Sequence, residues 1–283
     1  MKFRIKPRIS QKIAKTLIWS AALFVLVVLV AIIVYIIIRG LPIINWRFLT
    51  DIPRSMGRTG GISSTIVGTI LITAIAIVIA APFGIGTAFY LAEYTHENIV
   101  TRIIRFSAES LAGIPSIVYG LFGFIFFVIY LNLGWSVLSG GLTLAFMILP
   151  TIIRTSEEAI RAVPNSYREV SFSLGGTKWQ TIIRAVFPSA IQGIVNGVIL
   201  SVGRCVAETA AVILTAGSSL RMPSSVFSPT RTMAVHFYIL AREGISMENA
   251  YGTAALLIIL IFFINVIANT LVNRFIAKNR QRM

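Results

Sequence analysis

The chain has 283 residues, of which 56% are hydrophobic and only 12% are Asp, Glu, Lys or Arg, with a mean hydropathy of +0.85. Ordinary soluble domains carry about 25% charged residues, so this composition excludes one or two water-soluble domains and points to a bilayer. The net charge of +15 does not mark a nucleic-acid surface either, because the basic residues sit between long apolar runs instead of along one stripe.

A helix needs about 20 mostly apolar residues to cross the roughly 30 Å of hydrocarbon in a membrane. Six runs approach or exceed that length, which predicts an all-α, polytopic membrane protein of six spans. After a basic segment over 1–16, the first span covers about 17–38 and contains no charge. Its run exceeds the roughly 7–15 residues of a signal-peptide core and ends in no small-x-small site, so it reads as a span. The second, about 64–90, contains Pro82, Gly84 and Gly86, where a break or kink is expected. The third covers about 117–133, and the fourth, about 138–153, is short and opens on Gly140 and Gly141. The fifth, about 191–216, carries Arg204 and Glu208; the sixth, about 251–271, is free of charge and leads into a basic tail over 274–283.

Six crossings put both termini on one side, and that side gathers seventeen of the Lys and Arg residues against seven on the other. Cytoplasmic loops retain such residues, so both termini are expected in the cytoplasm of a cell-membrane protein. An even number of crossings also supports the short fourth run, without which the basic tail would be exported.

The longest connection on that side, about 154–190, has helix punctuation. Ser166 and Glu169 fit a capping box, Gly175-Gly176 stops the helix, and Thr177 and Gln180 repeat the capping spacing. A second short helix through Ile182, Ile183 and Val186 is then expected to end at Pro188. A solvated connector and a docking element are both open readings. A DNA-reading helix-turn-helix is disfavoured, because the flanking spans leave it little freedom to enter a groove.

Arg204 and Glu208 are four apart, which places them on one helical face together with Gly193, Gly197 and Ser201. A charge near mid-bilayer costs about 2.5–3.5 kcal/mol on insertion scales, so two of them need a reason. One reading is a self-neutralising pair that fixes packing. The other is an anion path, in which the planar guanidinium fork meets oxyanion oxygens and Glu208 holds Arg204 when none is present.

No phosphate-binding loop occurs, and Gly175-Gly176-Thr177-Lys178 is similar to one only superficially. Gly84-Ile85-Gly86-Thr87, half of a dinucleotide fingerprint inside a span, reads as a kink or packing site. Cys205 is the single cysteine, and His96 and His236 stand far apart, so neither a metal nor another cofactor is expected. His96 is placed at a cytoplasmic edge and His236 in an outer amphipathic stretch, each as a satisfied or solvated imidazole. The outer Arg47, Arg54, Arg58, Arg221 and Arg231 are either solvated or aligned with an acidic partner.

The run from Arg168 to Gly175, with Ala185-Val186-Phe187-Pro188 after it, resembles the EAA loop of ABC importer permeases, with Val170 and Ser171 at positions where alanines are usual. GGISSTIVGTI from Gly60, PFGIGTAFYLAEY from Pro82, GIPSIVYGLFG from Gly113 and GRCVAETAAVILTAG from Gly203 narrow the resemblance to the PstA family of phosphate-importer permeases, over most of the chain. RTMAVHFYILAREG from Arg231 is similar to PstA more than to its partner PstC. The resemblance implies a type I ABC importer permease that forms half of a path for inorganic phosphate and is not itself an enzyme. It implies a PstC-like second permease, a PstB-like cytoplasmic ATPase dimer and a PstS-like extracytoplasmic binding protein. By the same resemblance the segment from Asn165 to Gly175 seats in the ATPase, with Ser166, Tyr167, Arg168, Glu169 and Gly175 as coupling residues. A permease for molybdate or sulfate, a lone secondary transporter and a membrane enzyme remain the alternatives.

Overall fold

In the computed structural model, residues 7–95 and 97–280 are described, so His96, the first six residues of the basic N-terminal segment and the last three of the tail fall outside them. Helices α1 (Pro7–Gly40), α2 (Trp46–Thr50), α3 (Ser63–Phe89), α4 (Ile99–Ala112), α5 (Ser116–Gly123) and α6 (Val137–Arg161) form the first half. Helices α7 (Asn165–Ser173), α8 (Lys178–Thr181), α9 (Phe187–Ala207), α10 (Ala210–Thr215), α11 (Met233–Arg242) and α12 (Met247–Arg280) form the second. Among the described residues the only extended pairing is a single bridge between Arg54 and Thr59. Five helical stretches are long and apolar enough to cross a membrane, six if α4 and the 116–130 stretch, bent by 101°, count as one.

The hydrophobic effect does not drive helices together in lipid, since acyl chains are as apolar as leucine; close packing does. The core is built accordingly. α3 and α6 make the most extensive helix pair, closing around Ile72, Ala76, Leu144, Ile148 and Ile152. Gly141 admits Ile75, and Gly140 admits Ala216 at the end of α10. α6 is one of the less apolar spanning helices because 67% of its central window is buried in protein, whereas the corresponding window of α1 is wholly uncovered. α1 touches mainly α12, where Gly40 abuts Tyr251 and Ala255.

Four boundaries differ from the sequence reading. α3 continues through Pro82 without interruption, extended by a π-helical turn at Tyr90–Tyr94; Gly84 serves as a seat for Ile152 of α6, not as a hinge. The third run ends at Tyr130, also in a π-helical turn, because Asn132 and Gly134 take left-handed backbone at φ 52° and 64°. α7 starts at Asn165 without a side-chain cap, so the Ser166–Glu169 capping box does not form. Pro164, at ψ 141°, sets the start, and Ser166 falls inside the first turn.

The fourth difference concerns Pro188. α7 does stop before Gly175, at φ +78°, and the Thr177–Gln180 capping box does form. The helix it starts, however, runs past Pro188 to Ala207 through a π-helical turn at Ile182–Val186. The wider turn passes the Phe187 N–H to Ile182 O, and Pro188 then occupies the first turn of α9, where a missing N–H costs little.

Candidate functional site

Two regions gather the candidate residues. At one end of the bundle, α7 packs against α8 and the π-helical turn at Ile182–Val186. A nine-residue helix is marginal alone, so its fixings matter. Ser171 Oγ and Thr181 Oγ1 share a hydrogen bond of 2.7 Å, tying α7 to α8. Arg168 turns inward: Nε donates to Glu93 Oε1 at 3.0 Å and Nη2 to the same oxygen at 2.5 Å, while Nη1 reaches Val163 O at 2.8 Å and Nη2 Ile160 O at 3.1 Å. The last carbonyls of α6 lack helical partners and carry partial negative charge, so the guanidinium is well placed there.

The outward face of α7 is uncovered. Ser166, Tyr167, Glu169 and Gly175 are all exposed. Tyr167, Val170 and Leu174 form an apolar stripe at i, i+3 and i+7, with Leu174 84% exposed. With Gln180, Arg184 and Ala185 they line a groove of about 620 Å³. Elsewhere on α6, Glu157 accepts from Arg105 of α4 at 2.8 Å and pairs with Arg161 at 3.0 Å, closing a second charged cluster.

The other region is the end of α9. Its small-residue face packs on α6: a Cβ at Gly193 would fall on Ala159 and one at Gly197 on Thr155, and buried Ser201 returns its hydroxyl to Gly197 O at 2.9 Å. Arg204 is half-buried in the last turn. Glu208 does not continue its face. The helix ends at Ala207, Glu208 is extended at φ −72°, ψ 131°, and its Oε1 accepts from the Ala211 N–H of α10 at 3.2 Å. Of the six ion pairs among the described residues none joins Arg204 to Glu208. The broken helix thus leaves a guanidinium without a carboxylate partner beside a helix start whose N–H is already capped.

At the opposite end, Arg231, just before α11, and His236 on α11 form a buried polar pair; of the sequence readings, a satisfied or solvated His236 and a solvated or partner-facing Arg231, neither solvated one holds. Arg231 is 4% exposed and donates from Nε to Ser218 O at 3.0 Å. His236 is fully buried, with Nδ1 3.4 Å from Arg231 Nη1 and Nε2 without a partner. Burial, then the charge of Arg231, push the imidazole down to about 4; burial also lowers the Arg231 guanidinium from its ordinary value. Sequence reasoning missed Glu93, whose signal was an acidic residue closing an apolar run.

Comparison with known proteins places these features. The profile of the family described as "Binding-protein-dependent transport system inner membrane component" matches residues 80–281. A probable ABC transporter permease protein, YqgI of Bacillus subtilis, is 33% identical over 93% of this chain and 95% of its own length. The phosphate transport system permease protein PstA 1 of Mycobacterium tuberculosis is 33% identical over 99% of this chain and 92% of its own. Among solved structures, a bacterial ABC transporter that imports the acidic polysaccharide alginate aligns with a TM-score of 0.64, at 14% identity over 94% of this chain and 99% of that one. The methionine transporter MetNI in an inward-facing state aligns at 0.58, with 20% identity over 76% and 94%. The all-helical fold, the spanning helices and the full-length sequence agreement lead to one assignment: the chain belongs to the family of binding-protein-dependent transport system inner membrane components.

Proposed function

We propose that this chain is a permease subunit of an ATP-driven importer of inorganic phosphate. It forms half of the translocation path, with a PstC-like subunit as the other half. The observation that carries the substrate is the 33% identity to a PstA protein over 99% of the chain. ATP binding and hydrolysis belong to a separate PstB-like dimer in the cytoplasm, and a PstS-like protein delivers phosphate from outside. Both termini lie in the cytoplasm, which follows from the asymmetry of Lys and Arg.

The ATPase seats on the uncovered face of α7, where Tyr167, Val170 and Leu174 are apolar anchors without a partner in this chain. Ser166, Glu169 and Gly175 belong to that docking surface, and Arg168 orients it. Arg204 attracts the anion at the broken α9–α10 helix. Its fork suits phosphate oxygens, and the absence of a paired carboxylate leaves its charge free for the passing ion. Glu208 shapes the break. No step of covalent chemistry is required of this chain.

The test is uptake of radiolabelled phosphate into proteoliposomes that hold this chain with its partner permease, ATPase and binding protein. ATP-dependent uptake that excess unlabelled phosphate competes away, and equal molybdate or sulfate does not, is the expected result. Competition by molybdate or sulfate instead reassigns the oxyanion, and uptake by this chain alone without ATP removes the importer reading.

A further inference from the structure

The inward turn of Arg168 changes what that residue can do. A side chain meant to touch a partner would face the groove, yet Arg168 is only 17% exposed and Glu93, its acid partner, 7%. We propose that Glu93 is a positioning residue for coupling: it and Arg168 form a staple that locks α7 to the ends of α3 and α6, so that α7 transmits motion as part of one rigid body. This deepens the importer reading above and rests on it.

The geometry supports transmission through this joint. One guanidinium bonds acceptors on two elements besides its own, the Glu93 carboxylate in the π-helical turn that ends α3 and the Ile160 and Val163 carbonyls at the end of α6. Apart from it, among the described residues the side-chain hydrogen bond from α7 to another element is the single Ser171–Thr181 bridge to α8. A force applied to the exposed face of α7 therefore has two routes, through the Ser171–Thr181 bridge into the helix that continues as α9, and through the staple into α3 and α6. From there it spreads along the two largest helix contacts, α3 with α6 and α6 with α9, and α9 carries Arg204. Lysine could not replace Arg168, because one ammonium lacks the planar fork that spans both elements. Buried paired charges are an uncertain source of net stability, which leaves a mechanical role as the reason for placing them here.

The experiment uses the complete importer in proteoliposomes and records ATP hydrolysis and phosphate uptake together. Glu93→Gln is expected to leave hydrolysis running while phosphate moved per ATP falls about tenfold, the scale of a typical coupling energy. Arg168→Lys, which keeps the charge, is expected not to restore the ratio. An unchanged ratio in Glu93→Gln overturns the proposal. If that variant weakens assembly, distances in the full-length chain in nanodiscs decide. Spin labels at Ser173→Cys and Phe83→Cys, both exposed sites on α7 and α3, spare the buried native Cys205. A narrow distribution that broadens with Glu93→Gln supports the staple, and an unaltered one refutes it. Lack of phosphate uptake by the unsubstituted complex sinks the importer reading alone, since the label distances do not depend on substrate.

Discussion

The Glu208 carboxylate accepts the backbone N–H of Ala211 at 3.2 Å and so belongs to the start of α10, not to the helix that carries Arg204. The two residues, four apart in sequence, therefore have separate tasks. Arg204→Gln should lower phosphate uptake tenfold or more, roughly the loss expected for a charge-assisted contact, while the complex still copurifies. Glu208→Ala removes a helix cap and should cost about 1 kcal/mol of stability, with Glu208→Gln, which keeps an acceptor oxygen, close to the parent. Thermal unfolding and uptake measured on the same preparations separate the two effects. Equal loss of uptake and stability in Arg204→Gln would count against a role in the path.

Glycine matters at α9 only where the neighbouring helix is close. Gly197 faces Thr155 and Gly193 faces Ala159, whereas nothing lies within 4 Å of a Cβ placed on Gly203. Gly197→Leu should destabilise the α6–α9 contact by about 1–3 kcal/mol, the usual cost of overpacking. Gly203→Ala should leave the fold intact and gain about 0.5–1 kcal/mol of helix stability. Melting temperatures in one detergent check the contrast.

His236 gives the chain an acid sensitivity whose sign is fixed by its burial. Its pKa is about 4 in the fold, against 6.5 for the free side chain. Between those values the unfolded state binds the proton and the native state does not. Stability is therefore full above pH 6.5 and declines as pH falls toward 4, by about 3 kcal/mol in all. His236→Leu should flatten this slope between pH 7 and 5 in denaturation curves. Gly57→Ala should destabilise at every pH, because Gly57 sits at φ +99° and a Cβ there would lie 2.6 Å from His236 Cε1.

Leu174 tests the docking surface without touching the core. At 84% exposed it contributes little to folding, so Leu174→Asp should leave the stability within about 0.5 kcal/mol of the parent. Copurification of the ATPase should nevertheless be lost. A photocrosslinker at Tyr167, on the same face, should join the two subunits in the parent complex. Retained copurification together with no crosslink would place the ATPase elsewhere.

Much of this architecture was legible from the linear order of residues. Span content, the α7 segment with its Gly175 stop and the Thr177–Gln180 cap depend on local periodicity, backbone freedom and hydrogen bonds three residues apart, all of which a sequence encodes directly. The small-residue face of Gly193, Gly197 and Ser201 was visible for the same reason.

The tertiary structure decided whatever required a distant partner. Pro82 read as a break or kink and Pro188 as a helix end, but α3 runs unbroken through Pro82 against α6, and a π-helical turn carries the other helix past Pro188. Arg168 looked like a contact residue until Glu93, 75 positions away, was found beside it. His236 read as satisfied or solvated and Arg231 as solvated or facing a partner; both are buried, His236 against the turn at Gly57 and Arg231 on Ser218 O. Local chemistry fixes where a helix can exist, whereas the direction a charged side chain takes depends on which acceptors the folded chain brings within about 3 Å.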